Sequence, residues 1–179
     1  MKKKLMILLN GLMIFFTLND TGNAIGSDKL YTKKSMTTEE AYEAMGYTDL
    51  KKAAKEFEKK FNSKIYLPSI IPFKVTHRYG KVEKEDSKIT LEYLGEEFKE
   101  NDLTIIVSLN DLGKLKNEYE HTLKNGTKVS IREDNNPNLH SSTFLSFKID
   151  NLHYYLSLHY QDKDLEKKKI IEIAESIYQ

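Results

Sequence analysis

Leu152-His153-Tyr154-Tyr155-Leu156-Ser157-Leu158-His159 alternates apolar and more polar side chains, the period of two expected of a strand with one buried face. Leu152, Tyr154, Leu156 and Leu158 share one side, and His153, Tyr155, Ser157 and His159 share the other. Asp150-Asn151 stands just before this run and tolerates the positive φ of a tight hairpin. Segment 143–149, on the far side of that turn, is a partner strand. Earlier in the chain the same period recurs with turn residues at regular intervals, which predicts strands at 73–82, 88–94, 102–109, 117–123, 127–133, 143–149 and 152–159. Asn125-Gly126 marks a second tight turn. Short turns between successive strands imply an antiparallel meander of about six to seven strands.

The flanks of the meander read as helices. Thr37-Thr38-Glu39-Glu40 has the spacing of a capping box, so a short helix starts there, and Gly46 interrupts it. Thr48 and Asp49 can cap a second helix, in which Leu50, Ala53, Ala54, Phe57 and Phe61 form one apolar stripe on a lysine-rich cylinder. Leu67-Pro68 and Ile71-Pro72 bracket an extended connection, because each proline disfavours helix in the residue before it. A last helix runs from about Asp164, with Leu165, Ile170, Ile173, Ala174 and Ile177 along one broad side. The expected architecture is α+β, an antiparallel β-meander with the N-terminal helices and a C-terminal helix packed on one face. The other face, carrying His153, Tyr155, Ser157 and His159, is then a candidate ligand surface; the simpler reading is an ordinary solvated sheet face.

Upstream of the domain, Lys2, Lys3 and Lys4 precede an apolar run from Leu5 to Leu18, and Gly22-Asn23-Ala24 supplies small residues for cleavage. This is the pattern of a secretory signal peptide over residues 1–24. The competing reading is an N-terminal membrane anchor, against which stand the brevity of the run and its Asn10 and Gly11. The chain has no Cys, so neither a lipidated cleavage site nor a stabilising disulfide is available. Residues 25–36 are polar and aperiodic, an exposed lead-in, and 37–179 make a single α+β domain. The leader holds three of the 28 basic residues and one of the 27 acidic ones, which leaves a mature charge of about −1 and argues against a nucleic-acid partner.

Several stretches resemble a known family: Tyr66-Leu67-Pro68 through Ile71-Pro72-Phe73-Lys74-Val75, Ile89-Thr90-Leu91-Glu92-Tyr93, Asn125-Gly126-Thr127-Lys128-Val129, Leu152-His153-Tyr154-Tyr155-Leu156 and Ile173-Ala174-Glu175-Ser176-Ile177. Over residues 65–178 the chain is similar to exported domains of unknown function from spore-forming Gram-positive bacteria. More remotely it is similar to the half-barrel of periplasmic lipoprotein carriers and of the sigma-regulator sensor RseB. Where such domains often have Trp in the penultimate strand, this chain has Leu145-Ser146-Phe147. The resemblance implies compartment and fold, and transfers no functional residue.

Chemistry must be sought residue by residue. None of the five histidines, His77, His121, His140, His153 and His159, sits in a metal-binding or catalytic motif. His153 and His159 share a strand face but lie roughly 20 Å apart at about 3.3 Å per residue, so only His77 or His121 could complete a site with one of them. Ser141 and Ser142 neighbour His140 in a polar loop, without a nucleophile motif. Carboxylates at 83–86, 96–100 and 164–166 alternate with lysines as a solvated surface. Lys51, Lys52, Lys55, Lys59 and Lys60 could touch anionic wall polymers or lipid head groups, but Glu56 and Glu58 break up the field. Eleven tyrosines and no Trp suit half-buried sheet positions and also peptide, glycan or lipid contacts.

The expected protein is a secreted noncatalytic domain of the bacterial cell envelope that binds or senses a lipid, peptide or wall fragment. One alternative is a structural or interaction protein of the envelope or spore that docks through the same face, and another is a hydrolase with a site assembled across strands. No cofactor and no metal site is expected. Membrane contact is expected only transiently, through the signal peptide.

Overall fold

At the start of the domain the Thr37 hydroxyl accepts from the Glu40 N–H at 3.2 Å, and the Glu40 carboxylate accepts from the Thr37 N–H at 2.8 Å. The capping box is therefore formed, and α1 runs Thr38–Ala44 before Gly46, at φ +84°, ends it. These features belong to a computed structural model that describes residues 36–96, 101–114, 116–134 and 142–178. The leader 1–24 and the lead-in up to residue 35 lie outside the described residues, as do His140, Ser141 and the carboxylates at 97 and 100. The domain is one compact unit, Met36–Gln179.

Asp49 accepts from the Lys52 N–H at 3.1 Å and caps α2 (Leu50–Phe61), whose Leu50, Ala53, Ala54 and Phe57 are buried as the stripe requires. The strands are β1 (Thr48–Asp49), β2 (His77–Glu83), β3 (Lys88–Leu94), β4 (Asp102–Ser108), β5 (Tyr119–Thr122), β6 (Lys128–Glu133), β7 (Thr143–Ile149) and β8 (Leu152–His159), and α3 (Lys163–Ile177) closes the chain. The count is eight rather than six to seven, because Thr48 and Asp49 also pair with Gly80 and Tyr79.

The sheet order, β1-β2-β3-β4-β8-β7-β6-β5, also corrects the single meander. Two antiparallel runs, β1 to β4 and β5 to β8, join through an antiparallel pairing of β4 with β8. Polarity explains the arrangement. Leu103-Thr104-Ile105-Ile106-Val107 is nearly all apolar and mostly buried, so it gains most at the centre, while β5 is short and largely exposed and suits an edge. The connection from β4 to β5 consequently has to cross the sheet.

Across the centre, Leu91, Ile105, Leu156, Leu145 and Ile131 stand in one register row, each at most 1 % exposed. Burying such a side chain contributes about 1.5–3 kcal/mol. α2 covers this face over β2 and β3, and α3 covers it over β7 and β8. The approach of α2 is close: a Cβ on Gly80 would stand 2.6 Å from the Ala53 Cβ. Between the helices the proline-bounded connection is tied down by Tyr154, whose hydroxyl accepts from the Tyr66 N–H at 2.9 Å while its ring stacks on Phe147.

Two helix expectations need correction. Leu165 is exposed, and Glu166 is buried in its place, because steps of four, three and four put Glu166, not Leu165, in line with Ile170, Ile173 and Ile177. The N-terminal helices also do not share a face. Tyr42 of α1 stacks on Tyr79 at 4.2 Å, and Tyr79 pairs with Glu92, whose neighbours Leu91 and Tyr93 point to the α2 side. α1 therefore lies on the opposite face of the sheet from α2 and α3.

Candidate functional site

The face away from α2 and α3 is furnished by the odd positions of β8 and their register partners: Ser108 and Lys148 beside His153, Ile106 and Ser146 beside Tyr155, Thr104 and Phe144 beside Ser157. The connection from β4 to β5 passes over part of it. The Tyr155 hydroxyl donates to Asp111 Oδ1 at 2.7 Å and accepts from the Leu112 N–H at 2.7 Å, pinning that connection above the strand. Asp111 Oδ1 also accepts from the Gly113 N–H at 2.8 Å, closing a small turn. Burial and the contact with Asp111 push the Tyr155 phenol up to about 12. The same hydrogen bond, followed by the Gly113 N–H, holds the Asp111 carboxyl below its ordinary value.

Beneath and beside this strap lies an open concavity of about 280 Å³, bounded by Asp111, Lys148, His153 and Tyr155 on one side and by Ser130 and Ser146 toward β6. Ser130 and Ser146 are register partners, so the two hydroxyl-bearing positions and Tyr155 form one row on adjacent strands. At the outer wall Lys128 pairs with Glu120 at 2.9 Å. The lining thus offers hydroxyls, an imidazole and charges of both signs. Among the described residues no hydrogen bond joins His153 to Asp111, Ser130 or Ser146. No family model matches this chain, and neither a curated protein nor a solved structure matches it.

The four residues singled out in the sequence part company here. His153 and Tyr155 line the concavity, with Tyr155 serving as the anchor of the strap. Ser157 lies farther along β8, opposite Thr104 and Phe144. His159 is buried at the far end, where its Nδ1 is 2.9 Å from the Lys163 ammonium. That ammonium also meets Glu166 at 2.7 Å, and Glu166 accepts from the Thr143 hydroxyl at 2.8 Å and the Tyr160 N–H at 3.0 Å. His159 therefore belongs to the polar cluster that docks the start of α3 onto the sheet. His77 and His121 cannot join either β8 histidine, since two strands separate each from β8. His77 instead meets Glu39 of α1 at 2.8 Å. Among the described residues no group of three His, Cys, Asp or Glu side chains could hold a metal ion.

Sequence reasoning missed Asp111, Ser130 and Ser146. Ser130 and Ser146 carry a signal in the alternation of their own strands, but only the pairing of β6 with β7 and β7 with β8 sets them beside Tyr155. Asp111 carries none.

A second polar locus sits under α1. The Thr104 hydroxyl donates to Glu92 Oε2 at 2.8 Å, and the Tyr47 hydroxyl stands near the same carboxyl. Burial, opposed by these two hydroxyls, pushes Glu92 up to about 7. The tyrosines above it are displaced in the same direction: burial and the nearby Glu92 raise both Tyr42 and Tyr47.

Proposed function

We propose that this chain is a noncatalytic binding or sensing domain of the bacterial cell envelope that holds a small polar ligand, or the end group of a larger one, in the concavity floored by Ser130, Ser146, His153 and Tyr155. The observation that supports the reading most is the strap: a connection drawn across the sheet and fixed by two hydrogen bonds to Tyr155 makes a rim where a plain sheet face would have none. The volume of about 280 Å³ stands at the small end of ligand sites, which run roughly from 300 to 1,000 Å³. Hydroxyl and imidazole donors with lysines at hand suit a peptide or wall fragment carrying a carboxylate better than an acyl chain. Secretion by the N-terminal leader, the resemblance to exported domains and the absence of catalytic roles are parts of this proposal.

Native mass spectrometry of the protein from its own secretion fluid, compared with the denatured spectrum, tests it. A reproducible excess mass that disappears in Ser146→Leu, which fills the floor of the concavity, is the expected result. A clean apo monomer that binds no wall fragments would overturn the reading, and a specific hetero-complex would replace it with a docking protein.

A further inference from the structure

α2 and α3 lie on the same face of the sheet and both carry lysines, but they dispose of them differently. On α3, Lys163 meets Glu166 at 2.7 Å, Lys167 meets Glu133 at 3.3 Å and Lys169 meets Glu172 at 2.9 Å. On α2, Lys51, Lys52, Lys55 and Lys59 fall opposite the buried stripe at 3.6 residues per turn, and all four are exposed. Among the described residues none of these four ammonium groups meets a carboxylate. The two glutamates that interrupt the run in sequence sit on the flanks of the helix and are engaged elsewhere. Glu56 pairs with Lys84 at 3.0 Å, and Glu58 accepts from the Ile65 N–H at 2.9 Å. A cationic crest therefore stands on a chain whose formal net charge is only +1.

We propose that the exposed side of α2 is a docking surface for an anionic phospholipid bilayer. The crest is the convex outer side of one helix, which meets a plane along its length, whereas a polyanionic strand is better served by a groove that tracks its backbone. Its cations are lysines, compact point charges on flexible stems that suit mobile head groups, rather than arginine forks that fix a single phosphate. No apolar side chain emerges between the four lysines, so the attraction is electrostatic and is screened by salt.

The test uses residues 36–179, one compact unit that holds every buried core side chain among the described residues. This unit is sedimented with vesicles of phosphatidylcholine, with and without phosphatidylglycerol. The expected result is retention on the anionic vesicles only, falling steeply with added salt. Each lysine near an anionic surface is worth roughly fivefold in binding, so Lys51→Gln, Lys52→Gln, Lys55→Gln and Lys59→Gln together should weaken retention by roughly 10²–10³-fold. A control removing Lys74, Lys114, Lys116 and Lys168 changes the net charge equally and should keep most of the binding. Circular dichroism melting establishes that both variants fold, and the salt dependence of the parent is an independent reading. Equal loss in the control, retention on neutral vesicles, or binding to soluble polyphosphate without retention on vesicles would each overturn the proposal.

Discussion

Along β8, neighbouring residues serve two faces with opposite requirements. Leu152, Tyr154, Leu156 and Leu158 are at most 2 % exposed and meet α2, α3 and the proline-bounded connection, so their contribution is packing. His153, Tyr155 and Ser157 stay half-buried beneath a strap and beside α1, and their contribution is polar placement. The difference teaches that the face without the large helices is not bare. α1 and the β4–β5 connection roof it with hydrogen bonds and ring stacking rather than with a packed apolar helix face.

The largest expected effect tests the packed side. Leu156→Ala leaves a cavity at the centre of the five-residue row and should lower stability by about 2–5 kcal/mol in urea unfolding, while Ser157→Ala next to it should stay within about 0.5 kcal/mol. Equal losses would abolish the distinction between the faces. Gly80→Ala comes next: its Cβ would meet the Ala53 Cβ at 2.6 Å, so α2 must shift, at about 1–3 kcal/mol. Combining Gly80→Ala with Ala53→Gly should recover much of that loss if the contact is its cause.

On the polar side Glu92 decides the pH dependence. Its carboxyl stands at about 7 in the fold, above the roughly 4.3 of an unfolded chain. A raised carboxyl contributes stability that is fully present below the unfolded value and is lost as pH rises through the folded one. Glu92→Gln should therefore remove a decline in stability between about pH 4.5 and about 7 and make the variant more stable at neutral pH, by on the order of 1–3 kcal/mol. Parallel pH profiles for parent and variant would show that α1 does not enclose this carboxyl. The smallest effect belongs to the strap. Tyr155→Phe should cost about 0.5–1.5 kcal/mol, most of it local. It would appear as faster amide exchange at Leu112 and an Asp111 carboxyl moving back up toward its ordinary value, with little change in the melting temperature.

Much of this was legible before any coordinates. The capping box at Thr37 and Glu40, the cap at Asp49, the stripe of α2, the hairpin at Asp150 and the positions of seven strands follow from local preferences and from the period of burial, and the structure places them within a few residues. The hairpin turns are of this kind too: Gly126 adopts φ +85° and Asp150 φ +53°, as tight reversals demand. The candidate site was legible only where it lies on one strand, at His153 and Tyr155. Ser157 and His159 share their alternation but not their surroundings, and His159 was drawn into the polar cluster beneath α3.

By itself the sequence determined the elements, because caps, turns and periodicity act over a few residues and carry their physics with them. Only the tertiary structure decided that β4 pairs with β8, that α1 crosses to the opposite face and that the strap comes to rest on Tyr155. Those choices compare the burial of whole strands and helix faces against one another, a competition among distant segments that no local pattern records.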